Sequence, residues 1–562
     1  MIVDYDYIVI GSGFGGSVMT CRLAEKGYKV LLLERGRQWK MHEFPRRPHE
    51  IQQNMFWDPE DQKFGLMEFL DNPESDVMSL TASGLGGGSL IYANVLYRIP
   101  SENLKGWPGA WTREKLDLYY DKVLAMMEAK PYPFETENFY HHTPKTGTLK
   151  RISSELHVSN EETAPPQFVL PPLAVRFEGS YPGEQTKNSH GATQSKCTKC
   201  GECDLGCNIH AKNTLDLNYL YRAQHVRDSK AEVRTHAEVK RIEHVDGCYK
   251  VTYVIPQMPD HELAFTAKNV VLSAGSVGST SLLLKMKKEG YLPKLNKWLG
   301  KKWCGNGDLL GIVLDAEENL DPTNGPVITG AIQYSFKEYP DGFPHNMVIE
   351  DAGFPIGMAW YLSGKIPQFQ GFVGTLKLIC RNVKDFVLKI FGIKNTRKEI
   401  NVGDNFAAAI DKADFVRRAF VLLGMGRDRS DGEIKLREDN QAIIKWQLDR
   451  SELHYDRLRA KMKQIAEKVG GVFMDNPLTH LNKVIAVHPL GGCPMGNTAE
   501  EGFVAPNGQV FGYPGLYVVD GSIIPTSIGP NPSLTIAALA EHIAEQIPHC
   551  KTTTKVQNEA LT

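Results

Sequence analysis

The stretch that decides the fold lies at residues 7–16 and reads YIVIGSGFGG. Its four apolar residues predict a short buried strand, which runs directly into a glycine-rich turn. In such a turn Gly11 permits the tight bend, Gly13 lets the backbone approach a pyrophosphate, and Gly16 lets the following helix pack on the strand. The stretch therefore predicts a dinucleotide site at the N-terminus of a helix.

The residues that follow the turn complete this unit. Residues 17–26 are typical of a helix, and Gly27 can end it in the left-handed conformation. Residues 30–33 predict a second strand, with Glu34 at its end to accept hydrogen bonds from ribose hydroxyls. This order makes nucleotide binding a strong prediction, but it does not separate FAD from NAD.

A second glycine-rich loop favours FAD. Residues 83–90 read SGLGGGSL, so the backbone can pass close to a flat ligand. Two such loops, far apart in the sequence, suit a long dinucleotide with an isoalloxazine ring at its far end.

The C-terminal part of the chain predicts the catalytic residues. A predicted strand at 516–519 leads to Asp520-Gly521, and residues 534–547 are typical of a helix. Two separate segments deliver His488 and Asn531, which we expect to face the flavin. Histidine suits a base near neutral pH, and the asparagine amide can stabilise charge that develops on oxygen.

These motifs resemble those of the glucose–methanol–choline (GMC) family of FAD oxidoreductases. The matching stretches are GSGFGGSV, LLLERG, GLGGGSLIYANV, VVLSAGSVGSTSLL, HPLGGC and DGSIIPTSIGPNPSLTI. The last two are most similar to the cholesterol-oxidase branch. The resemblance implies a discontinuous α/β, Rossmann-like FAD domain at residues 1–45, 212–312 and 482–550. It also implies an α+β substrate domain with a large antiparallel sheet, at 46–211 and 313–481.

The resemblance also assigns residues to the site. It implies that Val239 lies against the adenine and that Glu350 is a carboxylate over the substrate, able to move a proton. Asp520, Gly521 and the following helix N-terminus are expected to hold the pyrophosphate and the flavin pyrimidine edge. The predicted FAD contacts are Gly11, Gly13, Gly15, Gly16, Glu34, Gly86, Gly87, Gly88, Ser89, Val239, Gly275, Asp520, Gly521 and Pro532.

Four cysteines form a motif that the best-known cholesterol oxidases lack. Cys197, Cys200, Cys203 and Cys207 have the spacing C-x2-C-x2-C-x3-C, as in bacterial ferredoxins. We expect an iron–sulfur cluster in a reducing compartment; zinc, or reduced or disulfide-linked structural cysteines, are the alternatives. A proline does not follow the fourth cysteine, which leaves the role of Cys207 open.

A basic amphipathic pattern marks residues 372–398, where apolar residues recur at helical spacing among lysines and arginines. It is compatible with a helix on an anionic membrane surface, a lid over the substrate, or a helix packed on the domain. With a net charge of −2 the composition does not indicate nucleic acid binding. Without a basic and apolar leader, we expect a cytoplasmic protein, and the amphipathic stretch leaves peripheral membrane contact open. The tail at 551–562 is expected to be disordered.

The sequence thus predicts FAD-dependent oxidation of a hydrophobic, sterol-like or terpenoid-like alcohol. Electrons are expected to leave through the iron–sulfur cluster to a protein or quinone acceptor. One alternative is an oxidase that makes hydrogen peroxide and has a structural cysteine motif. Another is a flavoprotein isomerase without net redox chemistry.

Overall fold

The structure is a computed structural model. It describes residues 3–72, 74–226, 228–337, 346–354, 417–476, 478–479 and 482–550. The amphipathic stretch at 372–398 and the tail at 551–562 lie outside these ranges, so the predictions made for them are not addressed. Within the described parts of the chain, no helix has the length and apolarity needed to span a bilayer.

The apolar strand of the opening stretch, Tyr5–Ile10, lies inside a seven-stranded sheet. It pairs in parallel with Val30–Leu33 on one side and with Met258–Leu272 on the other. Ala231–Arg234 adds to Val30–Leu33, and Leu516–Val518 adds to Met258–Leu272, both in parallel. The sheet is therefore assembled from separated parts of the chain, as expected, whereas the domain boundaries stay a prediction.

Two packed helices and two antiparallel strands complete the layer formed by the seven-stranded sheet. Phe14–Glu25 begins directly after the first glycine turn, and Gly27 follows it with a φ of 85°. The helix packs against Ser533–Gln546, and ten of its twelve residues are buried. Glu238–Val245 and Cys248–Ile255 join the sheet as antiparallel strands.

A six-stranded antiparallel sheet forms a second layer, with its own buried apolar core. The expected large antiparallel sheet is therefore present. Its strands, in spatial order, are Val472–Asp475, Leu309–Leu314, Phe420–Met425, Met347–Ala352, Ala331–Tyr334 and Gln167–Val169. Glu350 lies on an inner strand of this sheet, opposite Ala331 and Leu423.

The remaining elements are short strands and helices around the two sheets. The strands are Trp57–Asp58, Lys63–Phe64, Met67–Asp71, Val77–Ala82, Lys130–Pro131, Pro172–Leu173, Gln185–Lys187, Thr193–Ser195, Lys301–Trp303, Gly432–Leu436, Ala442–Lys445 and Val484–Ala486. The α-helices are Pro48–Asn54, Arg113–Met126, Asn138–His141, Pro144–Ser153, Tyr219–His225, Gly275–Lys288 and Glu452–Lys468.

Candidate active site

The first glycine turn is packed so closely that most of its glycines cannot be replaced. A Cβ on Gly15 would lie 1.6 Å from the carbonyl oxygen of Val519, and one on Gly16 would lie 2.0 Å from that of Gly11. A Cβ on Gly13 would have its nearest neighbour at 3.9 Å. Gly15 and Gly16 are therefore packing glycines, and Gly13 is the one that leaves space for a ligand.

Glu34 ties the two glycine-rich loops together. Its buried carboxylate accepts hydrogen bonds from the backbone N–H and hydroxyl of Ser12, at 3.1 and 2.6 Å. Its other oxygen accepts from the N–H groups of Gly36 and Gly84, at 2.9 and 3.3 Å. A carboxylate has further lone pairs, so the predicted ribose contact stays compatible with these bonds and stays a prediction.

The second loop lies directly on the first. A Cβ on Gly87 would lie 2.6 Å from the Cα of Gly13, and one on Gly88 would have no atom within 4 Å. The hydroxyl of Ser89 is buried and accepts from the N–H of Leu215 at 3.0 Å. The two loops thus form a cradle without side chains, and this cradle fits the flat rings and phosphates of FAD.

Asp520 holds the start of the helix Gly275–Lys288. Its buried carboxylate accepts from the N–H of Gly275 at 3.0 Å, the hydroxyl of Ser279 at 2.5 Å, and the N–H of Ser522 at 2.8 Å. A carboxylate repels a pyrophosphate. These bonds favour a positioning role for Asp520 at the helix N-terminus, and its predicted contact with the cofactor stays a prediction.

The local surroundings of three other predicted FAD residues are also defined. Val239 is half-buried at a register shift in the strand Glu238–Val245. Gly521 accepts a backbone hydrogen bond from Gly491 at 3.0 Å, and Pro532 caps the helix that begins at Ser533. Their contacts with the cofactor stay predictions.

One short segment, residues 304–308, fixes both catalytic loops. Cys304 exchanges two backbone hydrogen bonds of 3.0 Å with Leu490, in the loop that follows His488. The buried side chain of Asn306 donates to the carbonyl oxygens of Gly529 and Pro530, at 3.1 and 3.0 Å. The loop that ends at Asn531 is therefore held by the same segment as the loop of His488.

Asp308 completes this segment and binds His488 directly. Its Oδ1 lies 2.8 Å from His488 Nδ1, and its Oδ2 accepts from the N–H groups of Val487 and His488, at 2.8 and 3.0 Å. The Asp308 side chain is 2% exposed, and that of His488 is 16% exposed. Both the orientation of the imidazole and its tautomer are therefore set by one buried carboxylate.

The other two predicted catalytic residues are in contact. Asn531 Nδ2 donates to Glu350 Oε2 at 3.4 Å, and both side chains are buried. Glu350 Oε1 and Asn531 Oδ1 have no hydrogen-bond partner among the described residues. Since buried polar atoms are almost always hydrogen-bonded, this pair is suited to receive a polar group of a ligand.

Strand pairing places Glu350 and Asp308 two strands apart at the same level of the antiparallel sheet, because their chain neighbours Ile349 and Leu309 both pair with Gly424. Burial raises the pKa of Glu350 to about 8; the hydrogen bond from Asn531 opposes this, and the carboxylates of Asp351 and Asp308 add to it. The three predicted catalytic residues therefore lie around one region, together with Asp308. Sequence analysis missed Asp308, although it directly follows the WCGNG stretch that crosses between the layers.

The four motif cysteines line a single cavity, together with Lys212, Gly325 and Pro326. All four are free thiols. The sulfur of Cys197 accepts from the N–H of Lys199 at 3.4 Å, and that of Cys207 accepts from the N–H of Ala211 at 3.2 Å. In the described residues, however, no three His, Cys, Asp or Glu side chains are arranged to bind one metal ion. Metal binding therefore stays a prediction.

Comparison with known proteins identifies the family. Two family profiles described as GMC oxidoreductase match residues 5–286 and 428–540, so the chain belongs to the GMC oxidoreductase family. A cholesterol oxidase of Acinetobacter baumannii is 29% identical over 99% of this chain and 98% of its own. A 2-methyl-1,2-propanediol dehydrogenase of Mycolicibacterium austroafricanum is 25% identical over 96% and 95%.

A solved structure supports the fold. The pyridoxine 4-oxidase described from Mesorbium loti superposes with a TM-score of 0.57 and 15% identity, over 97% of this chain and all of that one. The family profile and the relatives confirm the predicted class: the protein is an FAD-dependent enzyme that oxidises the CH–OH group of an alcohol. These comparisons give no support to the cysteine motif as a metal site.

Proposed function

We propose that the enzyme oxidises a hydrophobic alcohol, of the sterol or terpenoid kind, to the carbonyl compound. The observation that carries the proposal is the buried pair of Asn531 and Glu350, whose unpartnered polar atoms are suited to bind a hydroxyl group. The cholesterol oxidase among the relatives supports an apolar substrate. FAD, when bound, accepts the hydride from the alcohol carbon at its N5 atom.

His488 acts as the base in this proposal. Nδ1 of His488 faces the carboxylate of Asp308, so Nδ1 bears the ring proton and donates a hydrogen bond to that carboxylate. Nε2 is then unprotonated and keeps a free lone pair. That lone pair accepts the O–H proton of the alcohol, while the C–H hydride leaves with both electrons. The Asn531 amide stabilises the charge that develops on the oxygen.

Glu350 supports the second candidate function. With its pKa raised to about 8 by burial, the carboxyl is largely protonated at pH 7 and donates a hydrogen bond. A carboxyl group that titrates near neutrality can also carry a proton between two carbons of an unsaturated substrate. This capacity favours isomerisation without net redox chemistry as the alternative.

The substrate proposal is tested by mixing the anaerobic holoenzyme with sterols, terpenols, sugars and short aliphatic alcohols. We expect sterols or terpenols to bleach the flavin absorbance fastest, with one carbonyl product per flavin reduced. Bleaching by sugars alone would contradict the apolar substrate. Rearranged product without any bleaching would favour the isomerase.

We further propose that the four cysteines bind an iron–sulfur cluster, which receives electrons from the reduced flavin. In support, Cys197, Cys200, Cys203 and Cys207 surround one cavity, and backbone N–H groups point at the sulfurs of Cys197 and Cys207. A tetrahedral zinc ion would require the sulfurs to lie about 3.8 Å apart, given Zn–S bonds of about 2.3 Å. No such group is found in the described residues, so the cluster proposal rests on the spacing of the four cysteines and on the cavity that they share.

The relatives that are named oxidases favour the competing fate of the electrons, transfer to oxygen with release of hydrogen peroxide. Anaerobic purification followed by iron and acid-labile sulfide analysis distinguishes the two proposals. Stoichiometric iron and sulfide, with broad absorbance near 400 nm, are expected for the cluster. A pure flavin spectrum, with peroxide formed at the rate of turnover, would establish the oxidase.

The described residues do not cover the predicted membrane contact at 372–398. We therefore keep three features as predictions: peripheral membrane binding, the cytoplasmic location, and the protein or quinone acceptor. Peripheral binding would suit an apolar alcohol that is taken from a bilayer.

A further inference from the structure

Tyr97 packs on the face of the antiparallel sheet that carries Glu350. On the two neighbouring strands, Glu350 stands directly opposite Ala331 and Leu423, and residues paired in this way share one face of a sheet. The buried apolar cluster that contains Ala331 and Val348, and against which Leu423 packs, also contains Tyr97. The Tyr97 side chain therefore packs among the residues that surround Glu350.

Gln333 fixes the hydroxyl group of Tyr97 on this face. Gln333 follows Ala331 by two residues, so it is a diagonal neighbour of Glu350, at a separation of roughly 7–8 Å across the strand pair. Its Nε2 donates a hydrogen bond to Tyr97 Oη. Long side chains at diagonal positions are within reach of one another, so one bound group can contact both Tyr97 and Glu350.

The chain also attaches Tyr97 to the segment of Asn531. The hydroxyl of Ser533, two residues after Asn531, donates to the carbonyl oxygen of Val95 at 3.1 Å, and Val95 lies two residues before Tyr97. Asn531 in turn donates to Glu350. The sheet and the start of the last helix thus place Tyr97 beside the same buried pair.

The Tyr97 hydroxyl is a donor without an acceptor. Its oxygen accepts from Gln333, and among the described residues it donates no hydrogen bond, although Tyr97 is only 8% exposed. Burial raises the pKa of Tyr97; the hydrogen bond from Gln333 opposes this, and the charge of Glu350 adds to it, so the hydroxyl keeps its proton at neutral pH. Because buried polar groups are almost always hydrogen-bonded, this donor is suited to a polar group of a ligand.

We propose that Tyr97 is a substrate-binding residue, whose hydroxyl donates a hydrogen bond to the oxygen of the bound alcohol. This inference rests on the proposed alcohol oxidation. In that reaction the alcohol oxygen gives its proton to His488, and its two lone pairs can accept one hydrogen bond from Asn531 and one from Tyr97. The oxygen of the carbonyl product has the same two lone pairs, so the bond persists after the hydride has left.

The test compares Y97F, Q333M, the double variant and a matched control, Y132F, as full-length proteins loaded with FAD. Tyr132 lies in the same apolar cluster and is 1% exposed, but its hydroxyl is bound to Thr143 Oγ1 at 2.6 Å. The substrate is the alcohol that reduces the wild-type flavin fastest. The readouts are FAD content, the rate of anaerobic flavin reduction against alcohol concentration, and the Kd of the carbonyl product from its effect on the flavin spectrum.

In Y97F we expect kcat/KM for flavin reduction to fall about tenfold and the product to bind about tenfold more weakly, as for the loss of one hydrogen bond. Y132F should stay within about twofold of the wild type in both, and FAD content should not change. Q333M should show a smaller loss, because the hydroxyl is no longer oriented. Adding Q333M to Y97F should cost nothing further, since the two residues act through one hydrogen bond.

The failures are distinguishable. If no alcohol reduces the wild-type flavin, the proposed function fails, and this inference fails with it. Wild-type rates and product binding in Y97F would overturn the role of Tyr97 alone and leave alcohol oxidation in place. Equal losses in Y97F and Y132F would show that packing of the cluster, rather than a contact with substrate, is responsible. Fully additive losses in Y97F and Q333M would contradict the shared hydrogen bond.

Discussion

At the scale of single residues, the proposed role of His488 as a base depends on Asp308. Its carboxylate binds Nδ1 of the imidazole and two backbone N–H groups beside it. A substitution that removes the negative charge of Asp308 but keeps the shape of its side chain should therefore disturb the tautomer of His488 more than it disturbs the fold.

We expect D308N to lower kcat by about 100-fold or more, with little change in KM or in FAD content. The measurement is kcat and KM for the alcohol, with FAD content determined on the same samples. D315N is the control and should behave as wild type, because Asp315 is exposed just after the strand Leu309–Leu314. An unchanged kcat in D308N would show that this carboxylate is structural only.

The raised pKa of Glu350 makes the free energy of unfolding depend on pH. Burial raises that pKa from 4.5 to about 8, so the folded protein keeps a proton that the unfolded chain releases above pH 4.5. The free energy of unfolding should therefore fall as the pH rises from about 4.5 to 8, by at most about 1.4 kcal/mol per pH unit.

The variant E350Q cannot ionise and should escape this loss. Thermal unfolding of the two holoenzymes should nearly coincide at pH 5, and E350Q should be more stable by a few kcal/mol at pH 8. Equal pH dependence of both proteins would contradict a buried, neutral carboxyl at this position.

The site residues that the sequence predicted are marked by sequence motifs or by the family resemblance, whereas Asp308, which was missed, is not. His488 and Asn531 lie inside long motifs, and Glu350 was located by resemblance. Asp308 stands 180 positions from His488, and its partner is defined only when the backbone bridge between Cys304 and Leu490 brings the two segments together. A local sequence pattern cannot encode a contact between such distant segments. The position of Asp308 directly after the glycine-containing segment WCGNG could nevertheless have marked it as a candidate site residue.

At the scale of elements, the segment 304–308 is the clamp that holds both catalytic loops. Asn306 is central to it, because its Oδ1 accepts from Ile528 and Gly529 while its Nδ2 donates to Gly529 and Pro530. Asn306 also has a φ of 59°, a left-handed conformation that asparagine tolerates better than most residues.

We expect N306A to lose about 2–4 kcal/mol of stability, because it leaves several buried backbone groups unpartnered and adds backbone strain. N306G removes the same hydrogen bonds without that strain, so it should be more stable than N306A by about 1 kcal/mol. Thermal unfolding with FAD bound measures both. If either variant unfolds like wild type, then the clamp does not hold the loop of Asn531.

The elements themselves were predictable where local rules govern them. The helix after the first glycine turn was expected at residues 17–26 and spans Phe14–Glu25, and the last helix was expected at 534–547 and spans Ser533–Gln546. The order of the six antiparallel strands was not predictable, because partners such as Leu309–Leu314 and Val472–Asp475 are far apart in the chain.

At the scale of the whole molecule, the two layers carry different parts of the proposed site. The parallel sheet carries the glycine loops that are proposed to hold FAD. The antiparallel sheet carries Glu350, and its strand Leu309–Leu314 directly follows Asp308. The cysteine cavity lies against the second glycine loop through Lys212. Oxidation of the alcohol and release of its electrons should therefore be separable by mutation.

The variant C203S tests this separation, because Cys203 lines the cavity and contacts Lys212 through its carbonyl group. If the cluster carries the electrons, C203S should lose most of its iron, and ferricyanide turnover should fall at least about tenfold. Anaerobic reduction of the flavin by the alcohol should stay within about twofold. C248S, which replaces another free, half-buried cysteine on the strand Cys248–Ile255, is the matched control. Equal turnover of C203S, C248S and wild type with ferricyanide would show that the electrons leave the flavin without passing the cysteine cavity.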